Sequence, residues 1–208
     1  MKRITFVIFF LTLFLNKDVS AQNNVNFSFG GGYVSSALDR TKLPYWENGY
    51  LINFSSDYKI TDKIALFFSS SFQKHFFNSK LVDIVVLAIP GYKFSISGEN
   101  SSVIELSIGS RLYMNNSRIK PYLGIGTGLL LINQGKVEIT NWMDGNPNKS
   151  TSLYSNSNKN YNLAQFNLSL GLEMKLINNF QLVIEGKLIN GFGGPLYFPL
   201  TASIKFGL

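Results

Sequence analysis

The chain has 208 residues, of which 45% are apolar, 14% aromatic and only 15% charged, with a formal net charge of +7, one histidine and no cysteine. These values exclude a disulfide scaffold, a thiolate zinc site, a thiol nucleophile, a lipid-modified N-terminal cysteine and a metal cage of several histidines. The apolar content excludes a disordered chain, and 18 Phe, 10 Tyr and 18 Gly favour β-structure, because ring side chains fit a pleated surface.

Residues 1–21 read as an export signal. Lys2 and Arg3 form a positive start, Ile4 to Leu15 is an apolar run, and Val19-Ser20-Ala21 is the small-residue pattern that a signal peptidase reads. At 12 residues the run is too short to cross roughly 30 Å of hydrocarbon as a helix, so cleavage before Gln22 is expected rather than retention as an anchor. Loss of Lys2, Arg3, Lys17 and Asp18 lowers the charge from +7 to +5. That excess reads as thinly spread, without the basic stripe or reader motif that nucleic-acid binding requires.

From Gln22 onward the apolar residues alternate with period two. Val25, Phe27, Phe29 and Tyr33 share one face of 25–35, with Asn26, Ser28, Gly30 and Gly32 on the other. In 50–60, Tyr50, Ile52, Phe54, Tyr58 and Ile60 oppose Asn53, Ser55, Asp57 and Lys59. In 102–113, Ile104, Leu106, Ile108 and Leu112 oppose Glu105, Ser107, Gly109 and Arg111. The same division recurs in 166–176, in 180–188 and in the closing segment from Phe198 to Leu208. Residues 64–74, 83–96 and 119–132 are apolar on both faces or interrupted by Pro90 and Pro121, which leaves their register open.

Strands of this kind suit a soluble barrel or a membrane barrel turned inside out, and three features favour the latter. The runs are about 10–12 residues, longer than the ~5–6 usual in soluble sheets and long enough to cross a bilayer at a tilt. Tyr50, Tyr58, Phe180 and Phe198 sit near strand ends, where headgroup girdles lie. Connections at 61–63, 115–117 and 178–179 are tight, whereas 36–47, 75–81, 140–160 and 190–196 are longer, the asymmetry of outer-membrane barrels. Backbone groups find no water in lipid, so such strands must close on themselves. The expected fold is an all-β, closed up-and-down antiparallel transmembrane β-barrel over residues 22–208. A soluble exported barrel or sandwich is the alternative. An even strand count returns both termini to one side: eight if 82–97 belongs to an extended loop hairpin, ten if a further strand exists. Eight suits the length.

The signal sequence, the segment LYMNNSRIKPYLGIGTG and the closing LTASIKFGL resemble the small outer-membrane β-barrels of Gram-negative bacteria, the OmpA/OmpX-like barrels. In that family a short periplasmic turn leads into a Pro-Tyr and glycine-rich strand, matched by Pro121, Tyr122, Gly124, Gly126 and Gly128. The resemblance implies outer-membrane residence and a final strand that the barrel-assembly machinery reads, here through Phe206 and the terminal Leu208. No peptidoglycan-binding domain is expected after the barrel.

The polar faces carry Glu105, Arg111, Glu173, Lys175, Glu185, Lys187 and Lys205, which would project into the lumen. An eight-stranded barrel leaves an interior that side chains fill, and a lone buried ion is costly, so paired charges forming a structural plug are expected over a conduction path. His75 has Ser79 four residues on, whereas deacylase-like barrels place the serine two residues after the histidine, and no acidic orienter adjoins it; a rim histidine is expected. No GxSxG elbow is present. GIGTG is not a nucleotide fingerprint, and its alternate glycines make room for side chains across the sheet. Residues 140–160 form the longest polar stretch and read as a surface loop, with Trp142, Met143 and Tyr154 as contacts for a partner or headgroup. Asp144 and its neighbours do not match a calcium loop. The expected protein is a non-catalytic monomer without metal or cofactor, partnered by outer-membrane lipid, with a structural, adhesive or envelope-integrity role. A narrow pore or carrier, a lipid A-modifying enzyme through His75 and a lipocalin-like binder are the alternatives.

Overall fold

A computed structural model describes residues 25–36, 46–81, 92–114, 118–143, 151–156, 159–177, 180–194 and 196–207. The expected export signal and its expected cleavage site, and also Leu208, lie outside the described residues. The strands are β1 (Val25–Ser36), β2 (Trp46–Lys59), β3 (Ile64–Phe77), β4 (Tyr92–Gly98), β5 (Ser101–Tyr113), β6 (Ile119–Gln134), β7 (Val137–Met143), β8 (Thr151–Asn156), β9 (Lys159–Lys175), β10 (Phe180–Gly191) and β11 (Leu196–Gly207).

Eight of them close into an antiparallel barrel in the order β1-β2-β3-β5-β6-β9-β10-β11 and back to β1. Phe29 makes the closure concrete, paired with Phe54 of β2 on one side and Ile204 of β11 on the other. The barrel strands run from 12 to 17 residues. Tight turns gather at one end. Ile64 accepts the amide of Ile60 at 2.9 Å, the Thr61 hydroxyl caps the Ile64 amide at 3.0 Å, and Phe180 accepts the amide of Leu176 at 3.0 Å. Val25 pairs with Tyr58 and Asn26 with Gly207, so both ends of the described barrel lie on this short-turn side.

The alternation seen in the sequence becomes two surfaces of opposite character. Leu170, Ile108 and Leu200 point outward, Leu170 with 63% of its surface exposed, while Lys205, Glu105 and Arg111 point inward and are at most 2% exposed. Tyr33, Tyr50, Tyr58, Phe180 and Phe198 are exposed toward the strand ends. Apolar side chains in such a ring demand an apolar solvent, and the closed ladder leaves no strand edge unpaired within it.

The lumen is layered. Its long-connection end is a mostly apolar plug of Val34, Trp46, Leu51, Val103, Leu130, Ile132, Ile189 and Tyr197, with Val137 from β7, and Gln73 and His75 are buried at the same level. This plug accounts for the doubly apolar segment 119–132, because Leu130 and Ile132 fill the lumen while Leu129 and Ile125 face outward. A register shift between Trp46 and Gly49 changes the face by one residue and so turns the Trp46 ring inward. Hydroxyls and amides occupy the middle, with Ser28 on Ser55 at 2.6 Å and Ser69 on Ser107 at 2.7 Å. Most of the ions lie toward the short turns, and the Lys187–Glu105 pair sits at the level of the hydroxyls.

Residues 92–98 form β4 of a separate three-stranded sheet, β4-β7-β8, as an eight-strand barrel requires; 82–91 lie outside the described residues. The expectation of a plain loop at 140–160 is corrected here. Val137–Met143 and Thr151–Asn156 are strands, although the stretch is too polar to fold alone. They are templated instead, because the β5–β6 ladder carries on as β4–β7 after a break at Glu99 and Gly135. The Trp46 indole donates to the Glu99 carbonyl at 2.7 Å, and the Phe77 amide donates to Asn100 Oδ1 at 3.1 Å, fixing the break to the barrel rim.

Candidate functional site

The lumen charges assemble because inward positions on neighbouring strands fall at the same level. Arg111 on β5 forks between two carboxylates, with Nη1 to Asp57 Oδ1 at 2.5 Å and Nη2 to Glu185 Oε2 at 2.8 Å. Lys205 on the last strand reaches the second oxygen of Asp57 at 2.6 Å and also bonds Glu173. Tyr113 donates its hydroxyl to Glu173 at 2.6 Å. Higher in the lumen Lys187 lies 3.6 Å from Glu105, whose carboxylate accepts the hydroxyls of Ser71 at 2.9 Å and Ser107 at 3.2 Å. Each ion has a counterion, which is the condition for keeping charge out of water.

Aromatic rings complete the shell around Arg111. Its guanidinium carbon lies 4.9 Å from the ring centres of both Phe67 and Tyr122, so the cation meets two π-faces. Glycines make that contact possible. A Cβ at Gly171 would lie 2.2 Å from Cζ of Tyr122, and one at Gly126 would lie 2.9 Å from Cζ of Phe67. Gly126 belongs to the glycine-rich strand, whose alternating spacing implied such room, whereas Gly171 lies on the neighbouring β9.

Of the charges read from the sequence, Glu105, Arg111, Glu173, Glu185, Lys187 and Lys205 are all buried in the lumen. Lys175 is not part of this set: it lies two residues beyond Glu173, at the end of β9, and is exposed. Asp57 is the member missed, although it stands on the polar face of 50–60 and binds two cations. Tyr113 and Tyr122 were also missed, because tyrosine in a barrel strand reads first as a girdle residue.

His75 is fully buried, so the expected rim histidine is corrected: it faces the plugged lumen, with Nδ1 3.2 Å from the Glu47 carbonyl and its ring 5.5 Å from that of Tyr197. That position keeps it from lipid. Trp142 is half-buried in β7 opposite Lys93, Met143 ends β7 opposite Tyr92, and Tyr154 lies in β8 opposite Ile139, so all three belong to the rim sheet rather than a free loop. Phe206 points outward, its ring 6.1 Å from Phe27 across the closure. Among the described residues no group of His, Asp and Glu could hold a metal ion.

No protein-family model matches the sequence, and no curated protein matches it. Among solved structures, the outer membrane protein OprG from Pseudomonas aeruginosa aligns with 92% of this chain and 100% of its own at 13% identity and a TM-score of 0.50. Neisserial surface protein A aligns at 14% identity over 88% of this chain and 96% of its own, with a TM-score of 0.47. Ail, the attachment invasion locus protein of Yersinia pestis, does so at 14% identity over 89% and 99%, with a TM-score of 0.48. At such identities the likeness is one of fold. That fold is the small outer-membrane β-barrel.

Proposed function

We propose that this chain is an exported, monomeric outer-membrane barrel that performs no catalysis and conducts no solute, and that anchors the β4-β7-β8 sheet at the cell surface in a structural, adhesive or envelope-integrity role. The observation that carries this reading is the filled lumen. Asp57, Arg111, Glu173, Glu185 and Lys205 bond one another across its short-turn half, and a mostly apolar plug around Tyr197 and Trp46 fills the opposite end. Eight strands leave no further width for a water column. Outer-membrane lipid is the partner that the outward belt requires, and the final strand with Phe206 and Leu208 is the segment offered to the barrel-assembly machinery. Planar bilayers containing the refolded mature chain should stay electrically silent, while the same preparation migrates faster unboiled than boiled in a mild-detergent gel. Discrete single-channel currents from the folded form would replace this reading with a narrow pore.

A further inference from the structure

Most of the basic excess that looks diffuse along the sequence falls at one place in the fold; the described residues toward the opposite end carry a formal +2, from Lys74, Lys80, Lys93, Lys136 and Lys159 against Glu47, Glu99 and Glu138. Lys59, Lys63, Arg118, Lys120 and Lys175 all lie at the short-turn mouth, opposed on the turns by Asp62, a formal +4 among the described residues. The buried lumen contributes little, with four carboxylates against Arg111, Lys187 and Lys205. Lys59 and Lys120 are half-buried and turned toward the lumen, Lys120 standing opposite Glu173 in the β6–β9 register. Lys63, Arg118 and Lys175 are exposed, and among the described residues none of these three is in an ion pair. The Lys175 amide donates to the Arg118 carbonyl at 3.0 Å, which ties two of the cations side by side.

We infer that this mouth is a binding surface for anionic phospholipid headgroups of the membrane leaflet facing the short turns, an inference that rests on the membrane-barrel reading above. The choice of lipid over a soluble acidic partner comes from the apolar residues at the same turns. Ile60, Met114 and Ile177 are exposed beside the cations, Ile177 with 72% of its surface free. A water-soluble polyanion would satisfy the lysines and leave these side chains wet. A leaflet surface satisfies both, with phosphates at the cations and acyl carbons at the isoleucines, while long basic side chains reach from one zone to the other.

The test uses the full mature chain refolded into nanodiscs with equal parts of phosphatidylcholine and phosphatidylglycerol, the lipids retained on the barrel being counted by native mass spectrometry. Wild type should retain phosphatidylglycerol over phosphatidylcholine on the order of tenfold, given the attraction of a Lys or Arg near a charged leaflet. The triple variant Lys63→Gln/Arg118→Gln/Lys175→Gln, altered only at exposed positions outside the lumen cluster, should fold alike and retain the two lipids about equally, as should wild type in high salt. Equal retention by wild type, or a preference that survives the triple substitution, overturns the inference. So does binding of the chain to isolated peptidoglycan sacculi without any lipid preference. Failure to insert into the bilayer overturns the membrane-barrel reading as well, and the heat-modifiable band reports that outcome separately.

Discussion

Replacing Arg111 with alanine is expected to destabilise the folded barrel by about 3–5 kcal/mol, read as a shift in the urea midpoint of the heat-modifiable form. The size follows from what the substitution leaves behind. Asp57 retains Lys205, but Glu185 loses the only cation bonded to it among the described residues and remains buried in the lumen. Phe67 and Tyr122 lose the guanidinium packed against them, and the space is not refilled. Arg111→Lys should recover part of the loss, because an ammonium keeps the charge but cannot fork to two carboxylates while meeting two rings. Lys136→Ala supplies the contrast. Lys136 meets Glu138 at 3.0 Å on the exposed rim, and an exposed pair contributes only ~0–1 kcal/mol. An Arg111→Ala shift no larger than the Lys136→Ala shift would mean that water reaches the lumen cluster, and the plug would be lost as an explanation.

Leu170→Arg is expected to cost about 2–4 kcal/mol, as a guanidinium placed near the middle of the hydrocarbon does on a barrel's lipid face. Leu170 is central to the outward row of β9, flanked by Leu168 and Leu172 and paired with Leu123 and Gly186. Asn162→Arg, on the same outward row nearer the rim sheet, should cost only about 0–1 kcal/mol. A depth-dependent difference between two exposed positions on one strand has no origin in water, where substitutions of this kind usually lie within about ±0.5 kcal/mol. Equal, small effects in refolded vesicles would contradict a lipid-facing belt.

The period-two pattern carried most of this architecture, because side-chain direction in a strand alternates regardless of what the strand faces. It assigns Glu105, Arg111, Glu173, Glu185, Lys187 and Lys205 to the inner surface, where all six are buried. It misplaced Lys175, since alternation tells which face a residue is on and not where the lumen opens to water. It also could not foresee that the inner face changes character along its length. Leu130 and Ile132 obey the alternation, yet they look like register noise until the apolar plug beside Tyr197 is seen. Pairings between distant strands were the least legible. Nothing local joins Arg111 to Asp57 or Glu185, and nothing local brings Lys63, Arg118 and Lys175 to one mouth; strand order and register do so. The rim sheet was hidden for a similar reason, its strands being extensions of the β5–β6 ladder rather than apolar ribbons in their own right.

The absence of cysteine allows a single thiol to be placed at will. Spin labels attached one at a time to Cys variants of Leu168, Leu170 and Leu172, in the chain refolded into vesicles, report collision with oxygen, which partitions into hydrocarbon, and with a water-soluble nickel chelate. All three labels should be open to oxygen and closed to nickel. Labels that nickel reaches freely at these positions would show that the apolar face meets water, and the membrane-spanning barrel would be contradicted.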